Sequence, residues 1–139
     1  MRQYRGRRKD NGEWVYGYPF ELQRGQYVIY QPGDTASSLN IWDYIRLHSY
    51  EVDPETVGQL IGRKDMHGTE VYDGDILEEH YTSLEISRYK VDWDQESAMW
   101  VFNDGKDRVF AEDIDFSLTE VKGNKWDHPH LLKGDENDA

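Results

Sequence analysis

The chain has 139 residues, no cysteine and a net charge of −12. This length fits one domain, or one domain with a small annex. The lack of cysteine excludes disulfides, thiolate metal sites and a cysteine nucleophile. No run approaches the roughly 18 apolar residues of a membrane span. The basic first residues are not followed by an apolar stretch, so we expect no secretory signal and a cytoplasmic protein.

The charge is distributed unevenly. Residues 1–30 carry six Lys or Arg against three Asp or Glu, a net of +3, whereas the remainder carries a net of −15. The acidic excess argues against broad binding of nucleic acid, which depends on cationic contacts with phosphates. The basic opening could lie against acidic surface of its own chain or of a neighbour, or it could grip an anion. A homo-oligomer held by this charge contrast would dissolve when salt is raised.

The opening third has the pattern of antiparallel hairpins. Asp10-Asn11-Gly12 indicates a tight turn, because Asn and Gly accept positive φ. A second turn is indicated at Arg24-Gly25, and residues 31–40 are polar enough to predict a surface loop.

Residues 37–50 fit two structures. Ile41 and Ile45 have helical spacing, with Ser37 or Ser38 as a possible cap. An alternating strand would instead use Trp42, Tyr44, Arg46, His48 and Tyr50. We predict extended structure here and keep the short helix as the alternative.

The second half alternates apolar and polar residues most clearly around Tyr89–Trp93 and its return strand, with a hairpin turn at Asn103-Asp104-Gly105. Short strands that each have one apolar face predict a small barrel. Residues 111–118 could hold a short helical turn, and residues 133–139 form a charged tail that we expect to be disordered. We therefore predict a single all-β domain over residues 1–132. It has N-terminal hairpins in residues 1–50 and an SH3-like barrel in residues 51–132.

Carboxylates crowd residues 62–80. Asp73-Gly74-Asp75 fails as a calcium loop, since the fifth and twelfth positions are leucines. Asp73 and Asp75 could form an acid–base pair, but a Gly flanked by Asp is far more typical of a turn or bulge. His128 and His130 lack the further ligands of a zinc site. We predict no catalytic residue, metal or cofactor, and hence no enzyme.

The candidates for ligand binding are aromatic and basic residues. Trp14, Trp93 and Trp100 are predicted to be mostly core, although one or two aromatic residues could line a groove for a peptide or for stacked bases. The basic residues that could contact a ligand, with Trp14 as aromatic neighbour, are Arg5, Arg7, Arg8 and Lys9.

Three stretches together resemble one family. They are "YRGRRKDNGEWVYGY", "YEVDPETVGQLIGRKDMHGTEVYDGDIL" and "VKGNKWDHPHLL". In this order they are similar to the YopX-like proteins encoded by bacteriophages and prophages of bacteria. The resemblance implies a mostly β fold with an SH3-type barrel in the C-terminal half, a phage or prophage origin and the bacterial cytoplasm. It implies no particular activity.

The motif residues of the central stretch are interpreted as determinants of the fold. Gly68 and Gly74 would serve the backbone, and Asp65 and Asp75 would bond to turns. The residues expected in the core are Val71, Tyr72 and Ile76.

The functional hypothesis is a non-enzymatic module that binds a host or phage protein, with a DNA-mimicking acidic surface as one version. The alternative is nucleic-acid binding through the basic opening strand, which predicts affinity that falls steeply with salt.

Overall fold

The structure is a computed structural model that describes residues 4–33 and 40–132. The chain divides into two compact units, Met1–Leu60 and Ile61–Ala139. The boundary lies inside a strand, ten residues after the predicted junction at residue 50. That the two parts form one domain stays a prediction. The tail at residues 133–139 and the cap candidates Ser37 and Ser38 lie outside the described residues.

The first unit is built mainly from hairpins. Its elements are β1 (Tyr4–Arg7), β2 (Trp14–Gln23), β3 (Gln26–Tyr30), α1 (Ile41–Leu47), β4 (Ser49–Val52), a 3-10 turn (Pro54–Thr56) and the start of β5 (Gly58–Lys64). Gly12 and Gly25 have φ of 74° and 81° at the two hairpin turns. Both predicted turns are therefore confirmed.

The strands of this unit form a ring. Antiparallel pairing follows the order β4-β3-β2-β1-β5. Arg8 also forms an antiparallel bridge with Val52, and Lys9 N donates to Glu51 O at 3.0 Å. The end of β1 thus meets β4, and β1 to β4 close on themselves. Closure satisfies backbone groups that a sheet edge would otherwise leave unpaired.

The core of the first unit lies inside this ring. Val15, Ile29 and Val52 form its buried centre. A Cβ on Gly6 would lie 3.1 Å from the Val52 side chain, so a larger residue here would require Val52 to shift by a few tenths of an ångström. The partly buried residues around the centre are Tyr4, Tyr27, Tyr50 and Val57.

Residues 41–47 are helical, so the prediction of extended structure was wrong there and holds only from Ser49 onward. Asn40 caps the helix, because its Oδ1 accepts a hydrogen bond from Asp43 N at 3.0 Å. Such a cap satisfies one of the unpaired N–H groups at a helix start. Tyr44 anchors α1 through a 2.8 Å hydrogen bond from its hydroxyl to Gly33 O.

The second unit contains the end of β5 and a five-stranded antiparallel sheet of order β10-β9-β8-β7-β11. Its further elements are β6 (Glu70–Tyr72), β7 (Asp75–His80), β8 (Ile86–Asp94), β9 (Met99–Asn103), β10 (Arg108–Phe110), two 3-10 turns (Ala111–Asp113 and Phe116–Leu118) and β11 (Thr119–Asn124). β6 pairs with β5. The buried core residues are Val71, Leu77, Tyr89, Val91, Phe102 and Ile114.

The mostly β, antiparallel fold is confirmed. β10 and β11 lie at opposite edges of the second sheet, so closure of the predicted SH3-like barrel is not confirmed. Trp14 and Trp100 are half-buried, whereas Trp93 is 46% exposed, so its assignment to the core was wrong. Across residues 4–33 and 40–132, none of the helices has the length and apolar character to traverse a bilayer.

Candidate binding surfaces

The basic opening strand brings three predicted binding residues together. Arg5 and Arg7 alternate along β1, and Arg7 is paired in register with Trp14 on β2. The guanidinium carbons of Arg5 and Arg7 lie 4.5 and 4.8 Å from the centre of the Trp14 ring. Arg5 is buried. A cation held over an indole face is stabilised by the ring quadrupole, so these guanidinium groups contribute to the folding of this unit.

The other two cations have acidic neighbours. Arg8 donates two hydrogen bonds to Asp10, from Nε at 2.9 Å and from Nη2 at 2.6 Å. These hydrogen bonds raise the pKa of Arg8 and lower the pKa of Asp10. Lys9 Nζ lies 3.3 Å from Glu51 Oε2. A nucleic-acid phosphate would therefore compete with carboxylates at both positions, and binding there stays a prediction.

The carboxylates of the central stretch bond to backbone, as the sequence predicts. Asp65 Oδ1 accepts from His67 N and Thr69 N, and its Oδ2 accepts from Val121 N, at 2.8 to 2.9 Å. Asp75 is buried, and its Oδ2 accepts from Tyr72 N at 2.8 Å. Turn bonding by both aspartates is confirmed.

Two buried glutamates escaped prediction. Glu79 is fully buried and accepts from Tyr89 Oη at 3.3 Å and from Asp115 N at 2.8 Å. A hydrogen bond with Glu79, together with burial, raises the pKa of Tyr81. Glu78 accepts from Arg88 Nε at 2.9 Å. Consecutive carboxylates are typical of an exposed strand, so the sequence gave no signal that Glu78 and Glu79 are buried. Alternation would place them on opposite faces of β7.

No group of three or more His, Asp or Glu side chains that could hold a metal ion occurs within residues 4–33 and 40–132. His128 Nδ1 instead accepts from Asn124 N at 3.2 Å. The absence of a metal site stays a prediction for the protein as a whole.

The second unit carries an aromatic groove of about 660 Å³, called the Trp93 groove here. Trp93 and Trp100 face each other across β8 and β9, with ring centroids 5.1 Å apart and an interplanar angle of 72°. Trp93 Nε1 donates to Gln95 Oε1 at 3.0 Å, which orients the exposed ring. The groove is lined by Ile61, Arg63, Trp93, Ala98, Met99, Trp100, Phe102, Phe110, Ala111 and Glu112.

An acidic groove of about 530 Å³ adjoins the Trp93 groove and shares Arg63 and Glu112 with it. Three carboxylates line this acidic groove against one guanidinium group, and that group lies 5.0 Å from the ring of Phe116. The acidic lining residues are Glu112, Asp113 and Asp115. The two grooves together therefore change from aromatic to anionic along their length.

The first unit has a separate surface, called the apolar patch here, with a groove of about 530 Å³. Trp42 is 71% exposed and Leu22 62% exposed. The groove is lined by Phe20, Leu22, Val28, Trp42, Ile45, Arg46, Ser49 and Glu51. Sequence reasoning missed this patch because it treated residues 37–50 as extended.

These features define a small antiparallel β protein with solvent-open apolar and aromatic grooves. Comparison with known families gives a match to the YopX protein family over residues 3–133. The chain therefore belongs to the YopX family, which confirms the resemblance seen in its three sequence stretches. No curated protein matches the chain.

Proposed function

We propose that this protein is a non-enzymatic binding module and that the Trp93 groove, with its acidic extension, holds an extended basic segment of a partner protein. The observation that carries the proposal is the continuity of the two grooves through Arg63 and Glu112. An extended segment is the natural occupant, because it can present apolar and charged side chains in succession along a narrow surface.

The aromatic half would recognise the apolar part of such a segment. Trp93 and Trp100 meet edge to face, so one indole presents a face to its surroundings while the other presents an edge. Proline and aliphatic side chains pack well on exposed indole faces, and so do the cationic ends of Lys and Arg. Phe102 is fully buried and gives the groove a fixed floor.

The acidic half would select charge. Glu112 and Asp113 are exposed, and they line the same groove as Arg63. An excess of carboxylates attracts Lys or Arg and repels phosphate, which favours a peptide over a nucleic acid. The net charge of −12 would also speed the approach of a basic partner.

The proposal that the module is not an enzyme is supported by the structural roles of its buried carboxylates. Asp65, Asp75 and Glu79 accept hydrogen bonds from backbone N–H groups of their own unit. A host or phage protein is the proposed partner, and the phage origin and cytoplasmic location rest on the sequence resemblance. DNA-binding proteins carry basic segments, so a DNA-mimicking role would be one form of this proposal.

The test is selection from a displayed library of extended peptides, followed by measurement of affinity for the selected sequences. We expect enrichment of Lys or Arg beside Pro or aliphatic residues. Trp93→Ala should weaken binding of the selected peptides at least about tenfold, as loss of an aromatic anchor typically does. Leu84→Ala is the matched control and should leave the affinity unchanged, because Leu84 is exposed in the same unit and lines neither groove.

Reversal of charge provides the second arm. Glu112→Lys combined with Asp113→Lys should abolish the preference for basic peptides, while Asp115 is kept because its side chain caps the turn that begins at Phe116. Selection without a basic bias, or affinity that survives both Trp93→Ala and the charge reversal, would overturn the proposal. Binding of a single-stranded oligonucleotide that vanishes when Arg5, Arg7, Arg8 and Lys9 become Ala, and also when only Arg8 and Lys9 do, would favour the nucleic-acid alternative. The double variant keeps Arg5 and Arg7 on Trp14 and so separates lost binding from lost folding.

A further inference from the structure

We infer that the apolar patch of the first unit is a self-association face that seats a second copy of this chain in a two-fold symmetric dimer. The patch joins the outer side of the β2–β3 hairpin to helix α1. Three large apolar side chains that line its groove are exposed, namely Phe20, Leu22 and Trp42. Contiguous apolar surface of this kind marks a contact site in soluble proteins.

Helix α1 gives the first reason to expect a covering partner. It has seven residues and none of them is buried. A helix this short is not stable in water by itself, since isolated helices need about 12–15 residues. Tyr44 ties α1 to its own unit through Gly33 O and through the ring of Tyr30, 6.3 Å away. A partner that covers Trp42 would supply the apolar burial that the helix lacks.

The charge of the patch identifies the occupant as a second copy. Two identical chains with a net charge of −12 repel each other across most of their surface. The groove of the apolar patch instead carries one cation and one anion, Arg46 and Glu51. A two-fold interface places the same patch on both partners, so it must be complementary to itself. Within one chain Arg46 lies 3.6 Å from Asp43 and Glu51 lies 3.3 Å from Lys9, both as exposed pairs. In the dimer Arg46 of each copy would pair with Glu51 of the other in addition to these partners while the apolar centres meet.

The backbone of the ring favours side-chain contact over strand addition. The Arg8–Val52 bridge and the Lys9 N to Glu51 O bond occupy backbone groups of β4 on the side away from β3. An unpaired strand edge would invite a second chain to extend the sheet. Association at this face therefore uses Leu22, Trp42 and their neighbours.

Sedimentation equilibrium of the full chain over a range of concentrations tests the inference. We expect a reversible monomer–dimer equilibrium. Trp42→Glu or Leu22→Glu, on two different elements of the patch, should weaken dimerisation at least about tenfold. Leu84→Glu is the matched control, because Leu84 is 92% exposed in the second unit and lies outside the patch.

Two charge-reversal variants distinguish a lost contact between copies from misfolding of either variant. Arg46→Glu and Glu51→Arg should each impair dimerisation, because each places like charges opposite one another twice in a two-fold interface. An equimolar mixture of the two variants should form a heterodimer in which both contacts are attractive again. A native chain that is monomeric at all concentrations, dimerisation unaffected by both patch variants, or a mixture with no more dimer than its components would each overturn the inference.

Discussion

Replacing Asp65 by Asn tests whether one carboxylate organises the second unit. Asp65 is buried and accepts three backbone hydrogen bonds, two within the β5–β6 turn and one from Val121 on β11. Asn can keep its amide oxygen toward His67 N and Thr69 N. Its NH₂ group then faces Val121 N–H, so two donors meet where a donor and an acceptor met before.

The expected cost follows from these contacts. A buried donor left without an acceptor costs about 1–3 kcal/mol, and hydrogen bonds to a charged group contribute more than bonds to a neutral one. Asp65→Asn should therefore lower the free energy of unfolding by about 2–3 kcal/mol at neutral pH. Asp65→Ala removes all three acceptors and should cost about 4 kcal/mol, because the losses at one site do not add fully.

The pH dependence of this loss has a definite sign. Burial raises the pKa of Asp65, but hydrogen bonds from Val121, Thr69 and His67 outweigh burial and hold the pKa below its ordinary value of 3.8. A carboxyl with a lowered pKa in the folded state stabilises the fold fully above the unfolded value. This stabilisation disappears as pH falls through the folded value. The stability gap between the native chain and Asp65→Asn should therefore narrow in acid below pH 3.8.

Urea unfolding at neutral pH and at a series of acidic pH values measures this gap directly. Other carboxyls titrate in the same range, but they are common to both chains and cancel in the difference. A gap smaller than about 0.5 kcal/mol at neutral pH, which is the usual effect of a surface substitution, would refute the reasoning. So would a gap that stays constant through the acid range.

Two further backbone predictions concern stability and are checked by thermal unfolding. Gly74→Ala should lower the free energy of unfolding by at least about 2 kcal/mol more than Gly68→Ala. Both glycines have positive φ, but only a Cβ at Gly74 would meet an aromatic ring, 2.5 Å from Trp126. Equal losses of stability would contradict this. Ala98 has a φ of 54°, so Ala98→Gly should stabilise the chain by about 1 kcal/mol, while Ala111→Gly, where φ is not positive, should destabilise it by a similar amount. A loss of stability in Ala98→Gly would show that its strain is compensated elsewhere.

Local chemistry made much of the fold predictable. The hairpin turns contain glycines, the residue that most readily adopts a positive φ, and Gly12 and Gly25 have positive φ in the structure. The core residues predicted in the central stretch, Val71, Tyr72 and Ile76, are all buried. Asp65 was assigned to turn bonding correctly, but its bond to Val121 joins positions 56 residues apart and no local pattern contains it.

The candidate surfaces were harder to predict because exposure depends on what covers a residue. Alternation places Trp93 on the same strand face as Tyr89 and Val91, and this is correct, yet only the last two are buried. Trp93 lies near the end of β8, where it lines an open groove. The apolar patch depended in turn on the helical state of residues 41–47. There the alternation of Trp42, Tyr44 and Arg46 outweighed the correct signal from Ile41 and Ile45.

The response to salt separates two modes of self-association that the sequence left open. If the basic opening residues met the acidic surface of another copy, added salt would screen that attraction and dissolve the oligomer. Association through the apolar patch has the opposite dependence. Its attraction comes mainly from burial of Trp42 and Leu22. Salt weakens the two exposed Arg46–Glu51 pairs only slightly, since such pairs contribute little, whereas it screens the repulsion between two chains of net charge −12. We therefore expect the dimer to strengthen between about 0.1 M and 1 M salt, where the Debye length falls from about 10 to 3 Å. Dissociation over this range, observed by sedimentation equilibrium, would assign the contact to the basic opening residues instead.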